Sequence, residues 1–93
     1  MTKKQIAKYC AEYSESILLA DGFEDAFIGV GVQFTHEPIA LYDRAKCIDI
    51  LMKRDGMDDE SANEYFEFNT QGAWVGDQTP VFITLANEPK ARR

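Results

Sequence analysis

Between Asp43 and Pro80 the chain carries two helix starts and two helix stops, and this punctuation constrains the fold more than any other feature of the sequence. Asp43 is placed to cap a helix whose apolar positions Ala45, Ile48, Leu51 and Met52 form a stripe, with Cys47 alongside. Lys53 and Arg54 suit its C-terminal end, and Asp55-Gly56 stops it. Asp58 starts the next helix, with Asp59 and Glu60 in the first turn and Met57 positioned to staple against Ala62. At about 100° per residue, Ala62, Tyr65, Phe66 and Asn69 share one side of it, while Glu60, Glu64 and Glu67 project opposite, within about 60° of one another. Asn69, the polar member of the apolar side, reads as a C-terminal cap or a satisfied amide near Gly72. Gly72 ends the helix, Trp74-Val75 leads into a Gly76-Asp77 turn, and Pro80 opens a last strand, Val81 to Leu85.

Upstream, Thr2 is placed to cap a first helix with apolar positions Ile6, Cys10, Tyr13 and Ile17. The run SILLA, Ser16 to Ala20, reads as a short buried strand, and Asp21-Gly22 as a turn. Ala26 to Phe34 is the longest strand candidate, with Ala26, Ile28, Val30, Val32 and Phe34 on a core face. Its other face shows Phe27, Gly29, Gly31 and Gln33, and the two glycines leave backbone open to a helix, a second chain or a ligand. Thr35-His36-Glu37-Pro38 forms a hairpin loop to a second strand, Ile39 to Tyr42. Tyr65 and Phe66 join Ile28, Val30, Phe34, Ile48, Leu51 and Met52 as the expected core.

The resulting order, α-β-β-β-α-α-β, predicts an α+β fold: a three- or four-stranded, mainly antiparallel sheet covered on one face by three short helices. With 93 residues there is room for a single small domain, residues 1–87, followed by a basic, flexible tail, residues 88–93. Hydrophobic residues make up 45% of the chain, the proportion of an ordinary globular protein rather than a disordered one.

Charge divides sharply by position. All 16 acids lie between Glu12 and Glu88 with only Arg44, Lys46, Lys53 and Arg54 among them, a balance of −12 over that span. Such a surface repels nucleic-acid phosphates, so direct nucleic-acid binding is not expected. No run approaches the ~20 apolar residues of a membrane span, and no N-terminal apolar run reads as a signal peptide. Cys10 and Cys47 sit on apolar helical stripes and read as buried thiols in a reducing cytosol.

The chemistry-bearing patterns fail individually. Gly29-x-Gly31 lacks the third glycine of a dinucleotide fingerprint and lies within a strand. Asp55, Asp58, Asp59 and Glu60 resemble a calcium loop only in composition, because Met57 falls at a ligand position. His36 is the single histidine and has no partner at metal-ligand spacing. Neither cysteine has the base and cationic setting that a nucleophile needs. No catalytic residue, metal or cofactor is therefore assigned.

The runs ADGFEDAFIGVG, LYDRAKCIDIL, RDGM, EYFEFN and GAWVGDQTPVF, in this order from Leu19 to Phe82, resemble a family of small proteins of unknown function encoded by bacteriophages and prophages. The resemblance implies a phage-encoded protein acting in the bacterial host cytoplasm, and brings no activity with it.

Two functions are consistent with these residues. In the first, a small acidic accessory protein binds and modulates a host or phage protein, with nucleic-acid charge mimicry as one version. Its contact surface would comprise Glu60, Glu64 and Glu67, bordered by Phe68, Trp74 and Asp77. In the second, a small-ligand binder or minor enzyme uses the Gly29/Gly31 strand face as a pocket, with a homodimer as one version.

Overall fold

A computed structural model describes residues 1–86; the basic segment expected at residues 88–93 lies outside the described residues. Helix α1 (Lys3–Ala11) begins where Thr2 predicts. The Thr2 hydroxyl accepts the Gln5 backbone N–H at 3.1 Å and the Gln5 side chain accepts the Thr2 N–H at 2.8 Å, a reciprocal capping box. Ile6 and Cys10 are buried, but the helix stops before Tyr13 and Ile17, and Tyr13 is exposed.

The SILLA run is not a strand. It lies in irregular backbone with no ladder partner. Ile17, Leu19 and Ala20 still pack against the core, and the Ala20 N–H donates to the Tyr42 hydroxyl at 2.9 Å. Here the burial comes from side-chain packing without a sheet, and a buried side chain, not a ladder, accepts the Ala20 N–H. Gly22 takes the expected turn with φ +93°, and a 3₁₀ turn at Glu24–Ala26 leads into the first strand.

Strands β1 (Phe27–Gly31) and β2 (Ile39–Asp43) pair antiparallel, and β3 (Val81–Ile83) pairs with β2 in parallel, giving the sheet order β1-β2-β3. The sheet is mixed rather than mainly antiparallel, with one strand fewer than the expected element order. Between β2 and β3 run α2 (Arg44–Asp55) and α3 (Asp59–Phe66), a helical crossover that returns the chain to the same end of the sheet and so imposes parallel pairing.

The register of β1 overturns its predicted faces. Phe27 pairs with Tyr42 but Gly29 with Leu41, so Ile28 is the extra residue of a bulge. Across the bulge the alternation resets: Phe27 and Val30 now share the face of Tyr42 and Ala40, and Ile28 is 46% exposed. The strand ends at Gly31, which leaves Val32 and Phe34, also expected in the core, exposed in the following loop.

Phe27, Tyr42 and Phe82 form one row across the three strands, with ring centroids 5.6 and 5.7 Å apart. Tyr9 of α1 abuts its Phe27 end at 5.9 Å, and Phe66 of α3 abuts Phe82 at 4.9 Å, edge to face. Beneath this row Phe23, Ala26, Ala40, Cys47, Ile48, Leu51, Ala62 and Phe66 complete the core. Met52 packs at its margin, whereas Ala45 and Tyr65, both expected on buried stripes, are exposed.

The caps of α2 and α3 are as the sequence predicts. Asp43, itself buried, accepts the Lys46 N–H at 3.3 Å, Asp58 accepts the Ser61 N–H at 2.8 Å, and Gly56 closes α2 in the left-handed region at φ +71°. Hydrogen bonds from Ser61, first its backbone N–H and then its hydroxyl, hold the Asp58 carboxyl below the usual carboxylate range. Arg44 ties the two helices together: it donates to Asn63 Oδ1 at 3.2 Å and Glu67 Oε2 at 3.0 Å, and its guanidinium lies 5.4 Å from the centre of the Phe66 ring. Beyond α3 the chain makes one π-helical turn, Glu67–Gln71, before Gly72.

Candidate binding surface

Two loops meet at the end of the sheet where β2 and β3 begin. The first, residues 32–38, joins β1 to β2; His36 N–H donates to Gln33 O at 2.8 Å, and Thr35 adopts φ +73°, a left-handed conformation uncommon for a residue with a side chain. The second runs from Gly72 to Pro80. Its tight turn is held by Thr79, whose hydroxyl donates to Gly76 O at 2.6 Å and accepts the Val75 N–H at 2.9 Å, while Gly76 supplies φ +122°. Gln78 joins the loops, its amide donating to Pro38 O at 2.9 Å and to Ser14 Oγ at 3.3 Å.

Between them lies an open cleft of ≈ 260 Å³ lined by Gly31, Val32, Gln33, His36, Glu37, Ile39 and Asp77. Glu37 and Asp77 are exposed carboxylates on opposite loops. The loops also carry two exposed rings: Phe34 at 92% and Trp74 at 71%. Phe68, in the π-helical turn, is 83% exposed.

The residues expected at a contact surface separate in space. Asp77 lines the cleft together with Gly31, so one member of each predicted set meets there. None of Glu60, Glu64 and Glu67 lines it. Glu60 and Glu64 are exposed on α3, but Glu67 is held by Arg44 at 3.0 Å and is not a free acid of that stripe. Asn69 donates to Tyr65 O at 3.2 Å, as a residue satisfied within its own helix.

Of the two glycines, Gly31 is tightly packed, whereas Gly29 has room for a Cβ. A Cβ on Gly31 would lie 3.2 Å from the Leu41 methyls, and one on Gly29 would lie 3.9 Å from the Tyr9 hydroxyl. Leu41 thus occupies the space over Gly31.

Val32 and Phe34 lie on the surface, against the expected core face, because the alternation does not carry through the bulge or past the strand end at Gly31, whereas Glu37 lies in the loop that the sequence predicts. The signal for Phe34 is its place immediately before the polar loop Thr35-His36-Glu37-Pro38.

The cysteines are poor nucleophiles. Both thiols are free and buried; burial raises the pKa of Cys10 and pushes that of Cys47 up to about 12, so both stay protonated at neutral pH. Among the described residues no three metal-ligating side chains converge, and no described helix is long and apolar enough to cross a membrane.

No protein-family model matches this chain, and comparison with curated proteins and with solved structures gave no match.

Proposed function

We propose that this chain is a small accessory protein, phage-encoded and acting in the bacterial host cytoplasm, that binds and modulates a host or phage protein. The observation that carries the reading is the exposure of Phe34, Phe68 and Trp74, the three most exposed large rings of the described residues, in a chain that packs Phe23, Phe27, Tyr42, Phe66 and Phe82 against one another. Large rings bury more area per immobilised side chain than other residues, and they dominate binding energies at protein interfaces. Exposed carboxylates, Glu37 and Asp77 at the cleft and Glu60 and Glu64 on α3, favour a basic partner surface and support charge mimicry as one mode of action.

A second reading, a small-ligand site or minor enzyme at the Gly29/Gly31 face, draws on Gly31 and His36 lining one cleft. At ≈ 260 Å³ the cleft falls below the ~300–1,000 Å³ of sites that enclose drug-sized ligands, and Leu41 sits over Gly31. The contact reading is therefore preferred.

The test is affinity capture from a bacterial lysate at low and high salt, with the captured protein identified and its binding to purified material measured. Replacing Phe34 and Trp74 together by serine should leave the circular dichroism spectrum intact and remove the partner. Capture of the same partner by the folded double variant at undiminished affinity would place the interaction elsewhere. The paired change Glu60→Lys and Glu64→Lys then separates the α3 stripe from the loop surface, and it leaves the Glu67 ion pair with Arg44 in place.

A further inference from the structure

We propose that the cleft between the two loops is a seat for one arginine or lysine side chain carried on an extended segment of the partner protein. The inference rests on the contact reading above and adds the chemistry of what is recognised.

Neither loop contains a lysine or arginine: residues 31–39 read GVQFTHEPI and residues 72–80 read GAWVGDQTP. The cleft instead sets Glu37 on one side and Asp77 on the other, and among the described residues neither carboxylate takes part in an ion pair. Val32 and Ile39 supply apolar wall between them. A long cationic side chain matches this division, because its methylene stem lies along apolar surface while its charged end stays between the carboxylates. Phe34 and Trp74, carried on the same two loops, do not line the cleft, and their exposed rings offer apolar cover to the partner residues beside the seat. The volume also suits one side chain better than a whole small molecule.

Other occupants fit less well. In a two-fold pair of copies the same patch faces itself, so Glu37 and Asp77 would oppose their own equivalents in two chains that each carry a net charge of −6. Nucleic acid would bring phosphates to the same carboxylates. The chain's own Lys90, Arg92 and Arg93 share the proposed chemistry, and the test separates them from a partner.

The full chain, labelled with ¹⁵N, is titrated at neutral pH with a blocked pentapeptide bearing a central arginine between valines, and with its citrulline counterpart, which keeps the shape and lacks the charge. Saturable shifts are expected at the amides of residues 32–39 and 76–78 and at the Trp74 indole, with citrulline at least tenfold weaker. Glu37→Gln with Asp77→Asn should weaken the arginine peptide about tenfold and leave the melting temperature unchanged. Equal binding of the citrulline peptide, or no shift at these positions, would overturn the proposal. The same titration is made on the variant with Lys90, Arg92 and Arg93 replaced by serine. Unchanged affinity supports a partner segment, whereas a site that binds only in that variant would assign the seat to the chain's own bases and overturn it. If arginine selectivity fails while lysate capture still depends on Phe34 and Trp74, the contact reading stands and only the cationic seat is lost.

Discussion

Phe66 and Phe68 are two residues apart on one helical run, yet the first is fully buried and the second is 83% exposed. Phe66 belongs to the region where sheet and helices meet, wedged between Phe82 at 4.9 Å and Phe23 at 6.0 Å, with Arg44 over its face. Phe68 in the π-helical turn, like Phe34 and Trp74 in the loops, lies outside that region, and among the described residues no second layer covers these rings. The difference teaches that ring type carries no information about role in this chain; position relative to the row Phe27, Tyr42 and Phe82 does. One set of aromatics stabilises the fold, and the other is available to a partner.

The strongest way to break this comparison is Phe66→Ala. It should cost about 3–5 kcal/mol through lost burial and the cavity left behind, in a domain class whose whole stability is ~5–15 kcal/mol. A urea midpoint that does not move would show that the row is not the stabilising region.

A second pair tests the bulge. Ile48→Ala should cost about 2–5 kcal/mol, whereas Ile28→Ala, on the residue extruded from the ladder, should cost less than about 1 kcal/mol. Equal losses would mean that β1 alternates without interruption.

Tyr42→Phe sharpens the buried side. It removes the acceptor of the Ala20 N–H and should cost about 1–2 kcal/mol. Burial pushes the Tyr42 hydroxyl, like the Cys47 thiol, up to about 12. Both groups therefore keep their protons in the folded chain at pH values where the unfolded chain loses them. Stability should be unaffected below about pH 9 and should fall as pH rises from there toward 12, first through Cys47 and then through Tyr42. Alkaline melts of the wild type, Cys47→Ala and Tyr42→Phe check this; each variant should lose part of the slope.

The smallest effect on stability is expected on the exposed side. Phe34→Ala and Trp74→Ala should each change stability by no more than about 0.5 kcal/mol while weakening partner capture. A fall in melting temperature comparable to that of Phe66→Ala would show these rings to be structural.

Several of these features were legible before folding was considered. Thr2, Asp43, Asp58 and Gly56 announced helix ends because a cap is a local bond or a local φ, made within four residues of itself. The α2 stripe of Cys47, Ile48 and Leu51 and the α3 pair Ala62 and Phe66 followed from helical period alone. Asp77 was legible as an exposed turn residue beside Gly76.

Tertiary structure decided the rest. The bulge at Ile28 is an agreement between two strands about register, so no pattern within β1 could place Phe27 inward and Phe34 outward. The parallel pairing of β3 depends on where the α2–α3 crossover returns the chain. Glu67 left the acidic stripe because Arg44, 23 residues away in sequence, reaches it across two helices. The cleft lies between loops that come together only in the folded chain, where Gln78 donates to Pro38 O, a contact spanning 40 residues. Local chemistry fixed where the capped helices α1, α2 and α3 start and where α2 stops; long-range contacts fixed which runs become strands, which faces they bury and which carboxylates and rings remain free to bind.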